Sequence, residues 1–318
     1  MSFLYPRRRN SGKLFIIGNG FDLAHGLSTK YIDFYNYLCK TYKVAYVEED
    51  RIVPEGSSDK DGDIVYDRTE VVEYIVNLLF RTIDVNWNNF EETLGNLDFY
   101  PDFDYLEQLF DKEGDRDWWH EGTNNEQLAS ELSNCVYIIG DLFEEWINTI
   151  KTFAVKQITK FADLISIQDD YFLNFNYTRT LENVYGVTNV CHIHGIQGER
   201  LLFGHGAKRH FYDDIENKYM GSEAGLELLH GVLRKDTRGA IRENEDFFRK
   251  LKDGFSAVYS YGFSFGMVDQ IYLKKIFKNT DTEGIVWYLH VHDESSHECQ
   301  KNIIKKSGFA GTFDVFEV

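Results

Sequence analysis

The sequence predicts an α/β fold in which an open parallel sheet is interrupted by a large helical insertion. Two observations carry this. Short apolar runs near the start and across the second half of the chain end in Gly, Asn or His, as strands buried on both faces do before they turn. Between them, residues 124–165 space Leu128, Leu132, Val136, Ile139, Phe143, Ile147, Ile150, Phe153, Gln157 and Phe161 three or four apart, which is a helical period.

The elements follow in order. Lys13–Gly18 reads as a buried strand, and Ser28-Thr29 before Tyr31, Phe34, Tyr35 and Leu38 as a capped amphipathic helix. The acidic stretch 48–70 reads as an exposed loop. Helices are expected over 69–83 and 88–111, then the long one, broken at most near Gly140. Strands are expected at Asp170–Asn176, Asn189–His194, Arg200–Gly204, Ser256–Gly262, Gly284–His292 and Thr312–Val318. Ligands of such sheets bind at the carboxyl ends of the strands, so those ends are where chemistry is sought.

Composition limits the function. The chain has 318 residues, is 43% hydrophobic and 16% aromatic, and carries 34 Lys+Arg against 52 Asp+Glu, a net charge of −18. It can bury a substantial core, and its acidity opposes phosphate backbones, which speaks against a nucleic-acid partner. Cys39, Cys135, Cys191 and Cys299 form no CxxC pair, so neither a zinc ribbon nor a disulfide framework is expected. No apolar segment follows Arg7, Arg8 and Arg9, and Leu14–Ile17 is too short for a signal or a span. A cytoplasmic protein with no membrane contact is expected.

Three strand ends carry the candidate chemistry. Gly18-Asn19-Gly20-Phe21-Asp22 lies between a strand and a helix, where glycines let backbone N–H groups approach a pyrophosphate. The third glycine of GxGxxG is missing, and a plain glycine turn stands as the other reading. Asn174-Phe175-Asn176-Tyr177-Thr178, with Glu182 beyond, offers carboxamides for a ribose hydroxyl or a water, or an ordinary helix cap. In His192-Ile193-His194-Gly195 the two imidazoles share one strand face, and His205 follows in Phe203-Gly204-His205-Gly206. No carboxylate has a ligand-like spacing beside them, so no metal is expected, and His194 is a general-base candidate or a structural histidine. Asp59, Asp61, Asp63 and Glu70 match calcium-loop positions, but Ile64 stands where the loop glycine belongs. Glu91 and Glu92 after Trp87 bring a carboxylate to a cleft or lie on a helix surface.

Taken together, Leu14–Leu27 resembles the opening of the bacterial abortive-infection AbiH family. Asn174-Phe175-Asn176-Tyr177-Thr178, His192-Ile193-His194-Gly195 and Phe203-Gly204 recur in that family in the same order. A more distant likeness is to sirtuin-like NAD-consuming domains. Gly18-Asn19-Gly20 with Gly26-Leu27 is similar to their GAG…SGIP segment, Asn176-Tyr177 to TNYD, His194-Gly195 to the catalytic HG, and Tyr261-Gly262-Phe263-Ser264 to a late strand end near the adenosine ribose. The departures are Thr178 for the TNYD aspartate, Asn19 between the glycines, Ser28 for the GIP proline, and the absent four-cysteine zinc module.

The resemblance implies one α/β domain over 1–318, with a Rossmann-like, sirtuin-like core at 11–40 and 168–318 and a mainly helical insertion at 41–167. It implies NAD as substrate or ligand. Asn176 and His194 would be catalytic, and Gly18, Asn19, Gly20, Phe21, Asp22, Asn174, Gly195, Gly262 and Ser264 would bind the nucleotide. It further implies phage defence by NAD depletion, a phage-derived trigger and a homo-oligomer. Two other readings remain open: a nucleotide sensor without turnover, and a metal-dependent nuclease built on His192, His194 and His205.

Overall fold

The structure is a computed structural model that describes residues 12–47, 53–82, 90–214, 219–278 and 280–318. The Arg7–Arg9 run, Trp87, and the parts of the expected loop and helices at 48–52, 83 and 88–89 lie outside these residues. Two compact units form. One comprises the described parts of Met1–Thr29, Ile147–Leu202 and Asp236–Val318; the other comprises those of Lys30–Trp146 and Phe203–Lys235.

The first unit holds six strands: β1 (Leu14–Ile17), β2 (Tyr171–Asn174), β3 (Val190–His192), β4 (Ala257–Tyr261), β5 (Val286–His290) and β6 (Thr312–Phe316). All pair in parallel, in the order β3-β2-β1-β4-β5-β6. That is the strand order of a doubly wound dinucleotide-binding sheet, so the α/β Rossmann-like expectation holds. Alternation along each strand sends side chains to both faces. Leu14, Ile16, Leu173, Val258 and Trp287 pack on one side, and Phe15, Ile17, Phe172 and Tyr261 on the other. β1 and β2 are buried throughout, which is why their sequences read as unbroken apolar runs.

Register sets the site. Ile17 lies opposite Asn174 on one side and Tyr261 on the other, and Asn174 lies opposite His192. The chain segments that leave β1, β2, β3 and β4 therefore start from one level. The strand order reverses beside β1, and there the backbones of β1 and β4 meet directly. A Cβ on Gly18 would lie 2.5 Å from the Gly262 carbonyl oxygen, and one on Gly20 would lie 2.6 Å from Gly262 Cα.

Several expectations need correction. Arg200–Gly204 is not a strand: Gly195, at φ +85°, turns the chain so that the Leu202 N–H reaches the His194 carbonyl. A short apolar run does not by itself distinguish a strand from a packed loop. The second helix starts at Tyr31 with Lys30 as its cap, and the Lys30 N–H donates to Asp33. Ser28 and Thr29 do not cap it. The described part of 88–111 gives two short helices, Phe90–Leu94, which stops before Gly95, and Tyr100–Phe103, with Pro101 in its first turn. The long helical period divides into Trp118–Tyr137, Ile139–Thr149 and Thr159–Leu164, with its first break at Ile138 rather than Gly140. Residues 53–70 are not all loop. A two-residue hairpin, Ser57–Ser58 with Ile64–Val65, precedes a helix from Arg68, and Asp59 closes its own turn by accepting from the N–H groups of Asp61 and Asp63.

In the second unit, Phe34, Phe90, Phe143, Trp146 and Phe203 form a linked aromatic cluster. No helix among the described residues is long and apolar enough to cross a membrane.

Candidate functional site

The turn after β1 is tightly committed. The Gly18 N–H donates to the Tyr261 carbonyl and the Gly20 N–H to that of Gly262, both at 3.0 Å. Two of the backbone donors expected to meet a pyrophosphate are therefore spent on the β4 segment. The same seam accounts for glycine at positions 18 and 20. The Asn19 side chain is also occupied: Nδ2 donates to the Thr29 carbonyl at 2.9 Å, and Oδ1 accepts from the Thr29 hydroxyl at 2.6 Å. This clamp ties the first residue of the helix Asn19–Ala24 to Thr29. Asn19→Ala is expected to cost about 1–2 kcal/mol in urea unfolding, because it strands a buried hydroxyl. An unchanged midpoint would remove the clamp from the account.

Phe21 faces inward. Its ring is fully buried against Phe161, Tyr185, Tyr261 and His25, so its side chain belongs to the core. His25 Nδ1 lies 2.7 Å from the Phe21 carbonyl and must donate to it. Nε2 then accepts from the Tyr185 hydroxyl, 2.6 Å away, and burial lowers the pKa in keeping with this neutral ring.

Asp22 is an almost fully buried acid. Its carboxylate accepts from the hydroxyls of Thr178 at 2.6 Å and Thr180 at 2.7 Å, with the Asn176 side chain beside it. Loss of solvation pushes its pKa up to about 6 despite these bonds. Thr178, the departure from TNYD, is thus a hydrogen-bond donor to Asp22.

Asn174 and Asn176 shape the turn after β2. Asn174 Oδ1 accepts from the Asn176 N–H at 3.1 Å. Asn176 Nδ2 donates to the Gly18 carbonyl at 3.1 Å. With the amino group held by the Gly18 carbonyl, Asn176 Oδ1 is the atom left to meet a ligand.

His192, at the end of β3, and His194, two residues on, each face a carboxylate that the sequence spacing does not reveal. His192 Nε2 lies 2.6 Å from Glu182, while Nδ1 is 3.2 Å from the Asn176 carbonyl and 3.4 Å from Asn174 Nδ2. His194 is buried, with Nε2 3.3 Å from Asp269 Oδ1 and the rings of Phe175, Tyr177 and Tyr272 around it. Gly195 must be glycine, since a Cβ would fall 2.5 Å from the Arg200 carbonyl oxygen at a positive φ. Gly262 and an exposed Ser264 open the loop that ends at Asp269.

His205 belongs to the second unit and is fully buried. Its Nδ1 accepts from the Ala207 N–H and its Nε2 donates to the His230 carbonyl, and burial pushes its pKa down to about 4. Both nitrogens are used by backbone. Among the described residues, no three His, Cys, Asp or Glu side chains gather as a metal site would require. Asp269 is the site residue missed by sequence reasoning; a carboxylate following a glycine-bounded strand end and preceding a helix was the available signal.

Comparison with family models matches residues 14–291 to the family described as bacteriophage abortive infection AbiH. That span opens on the first residue of β1 and includes every site residue above. No curated protein and no solved structure matches the chain, so the sirtuin likeness rests on the motifs alone. With most of its length matched, the chain belongs to the AbiH family of bacteriophage abortive infection.

Proposed function

We propose that the protein serves phage defence by hydrolysing the nicotinamide–ribose bond of NAD. The coarse role follows from the family, whose description is abortive infection. The reaction is the reading that best fits the strand ends, and one observation carries it. The Asn176 amino group donates to the Gly18 carbonyl at 3.1 Å, which fixes the carboxamide and leaves its carbonyl oxygen to accept from a ribose hydroxyl or the attacking water.

In the proposed step the C1′–N bond breaks and its electron pair leaves with neutral nicotinamide. Positive charge develops on the ribose as in glycoside cleavage. Water oxygen bonds to C1′, and His194 takes the proton that water loses, giving nicotinamide and ADP-ribose. Asn176 orients the nucleophile, which is an entropic contribution. With the Gly18 and Gly20 N–H groups already engaged, the exposed Ser264 hydroxyl is a donor left for the phosphate or adenosine end. Such an enzyme has to be silent in the cytoplasm until a phage-derived trigger, or a change of oligomeric state, releases it.

The test is incubation of purified protein with NAD while free nicotinamide is followed by chromatography. Asn176→Ala should lower release by about 10²-fold or more. NAD-dependent thermal stabilisation without release would favour a nucleotide sensor, a reading helped by the engaged glycine amides. Release that survives Asn176→Ala would remove the residue from the reaction, and loss in chelator would revive a metal enzyme.

A further inference from the structure

We infer that Asp269 is the positioning residue of His194, so that the base of this site is a carboxylate–imidazole pair with Nδ1 as its working nitrogen. This rests on the reading of His194 as the base, and it adds a residue that no motif assigns.

The geometry is directional. His194 Nε2 lies 3.3 Å from Asp269 Oδ1, and the side chains are 3% and 11% exposed. Nε2 has no hydrogen-bond partner at this angle. Catalytic hydrogen bonds are commonly long in the free state and tighten with substrate. A carboxylate beside Nε2 favours the tautomer that carries its proton there, which leaves the Nδ1 lone pair for water. When Nδ1 takes that proton, the ring becomes an imidazolium in surroundings made by Phe175, Tyr177 and Tyr272, and Asp269 is the counter-charge beside it.

The loop that carries Asp269 is rigidly built. It leaves β4 at Gly262 and passes through Phe265, a non-glycine residue at φ +58° whose ring is buried against Phe263 and Trp287. Gln270 Nε2 donates to the Phe265 carbonyl, and the Asp269 N–H donates to that of Gly266. A left-handed conformation at a bulky residue persists only where packing enforces it, and such strain gathers at functional sites. His192 is the control within the fold: its pair with Glu182 is shorter, but both its ring nitrogens already have neighbours within 3.4 Å. It has no nitrogen left for water.

Ring-nitrogen NMR on the full chain labelled at histidine tests this, with His194 assigned by His194→Gln. The wild type should show Nε2 protonated and Nδ1 bare, and Asp269→Asn should shift that tautomer balance. In the nicotinamide assay Asp269→Asn should lower kcat by about 10-fold or more with KM within about 2-fold, as expected of a group that acts through the base. A wild-type Nδ1–H tautomer, or a His194 signal unmoved by Asp269→Asn, overturns the inference. Should that variant fail to fold, the wild-type tautomer alone decides. A tautomer shift in a protein that releases no nicotinamide supports the pairing and counts against NAD cleavage, so the two ideas fail separately.

Discussion

Gly262→Ala is expected to remove about 3–5 kcal/mol of folding stability, enough to unfold many proteins of ordinary stability. The residue sits at φ +63°, a conformation that costs a side chain about 1–2 kcal/mol. Its Cβ would fall 2.3 Å from Gly20 Cα and 2.5 Å from the Gly20 carbonyl carbon and the Phe21 nitrogen. All three are backbone atoms, so no rotamer change relieves the overlap, and overpacking of this kind adds about 1–3 kcal/mol. Separating the two segments also strains the Gly20 N–H to Gly262 carbonyl bond, worth about 1 kcal/mol. Gly186→Ala is the control. It too has a positive φ, +70°, but nothing lies within 4 Å of its Cβ, so only the conformational cost remains. Urea unfolding of both variants decides: equal losses would mean that the seam between β1 and β4 contributes nothing.

That seam explains why part of the site was legible in the sequence and part was not. Gly18-Asn19-Gly20 was readable as a turn because a strand, two glycines and a helix follow one another locally. What the glycines approach was not readable, since their neighbour is Gly262, near the other end of the chain. The strands that end at Asn174, His192 and Tyr261 were legible for a similar reason, although the sequence extends each by one or two residues, to Asn176, His194 and Gly262. β1 and β2, covered on both faces, are nearly continuous apolar runs, whereas β4 carries Ser260 within the strand, so a polar residue does not by itself mark the exit. Arg200–Gly204 shows where an apolar run misleads, because apolar residues of a packed loop make the same run as a strand. The carboxylates were hidden by distance along the chain. Glu182 and Asp269 each meet a histidine, yet neither has a fixed spacing from its partner, and only the register of β2, β3 and β4 brings them near. Thr178 is the opposite case. Set against a motif it reads as a lost aspartate, whereas in the structure its hydroxyl is a partner of Asp22.

Asp22 leads to the second large expectation, a pH-dependent difference between the wild type and Asp22→Asn. Three side-chain oxygen contacts close a ring: Thr178 to Asp22 at 2.6 Å, Thr180 to Asp22 at 2.7 Å, and Thr178 to Thr180 at 3.0 Å. All three residues are buried. With Asp22 ionised, two hydroxyl hydrogens serve three contacts, and the threonine oxygens face each other with none between them. A proton on Asp22 supplies the third hydrogen and lets the ring run in one direction. This geometry agrees with the upward shift from 3.8 to about 6 that desolvation causes, against the hydrogen bonds of Thr178, Thr180 and Asn176 and the charge of His192. Because the folded pKa lies above the unfolded one, folding takes up a proton between those values. The stabilisation is complete below about pH 4 and is lost as pH rises to about 6, a change of about 3 kcal/mol. The carboxamide that Asp22→Asn introduces keeps an oxygen for one hydroxyl, offers an N–H to the other and has no proton to lose. Urea unfolding at a series of pH values from 4 to 8 should therefore show the variant gaining about 3 kcal/mol on the wild type across that interval, with contributions from other titrating groups cancelling in the difference. Parallel stability curves would mean that Asp22 is ionised throughout, and that Asn176 is held beside a permanent charge rather than beside a group that gains and loses one near pH 6.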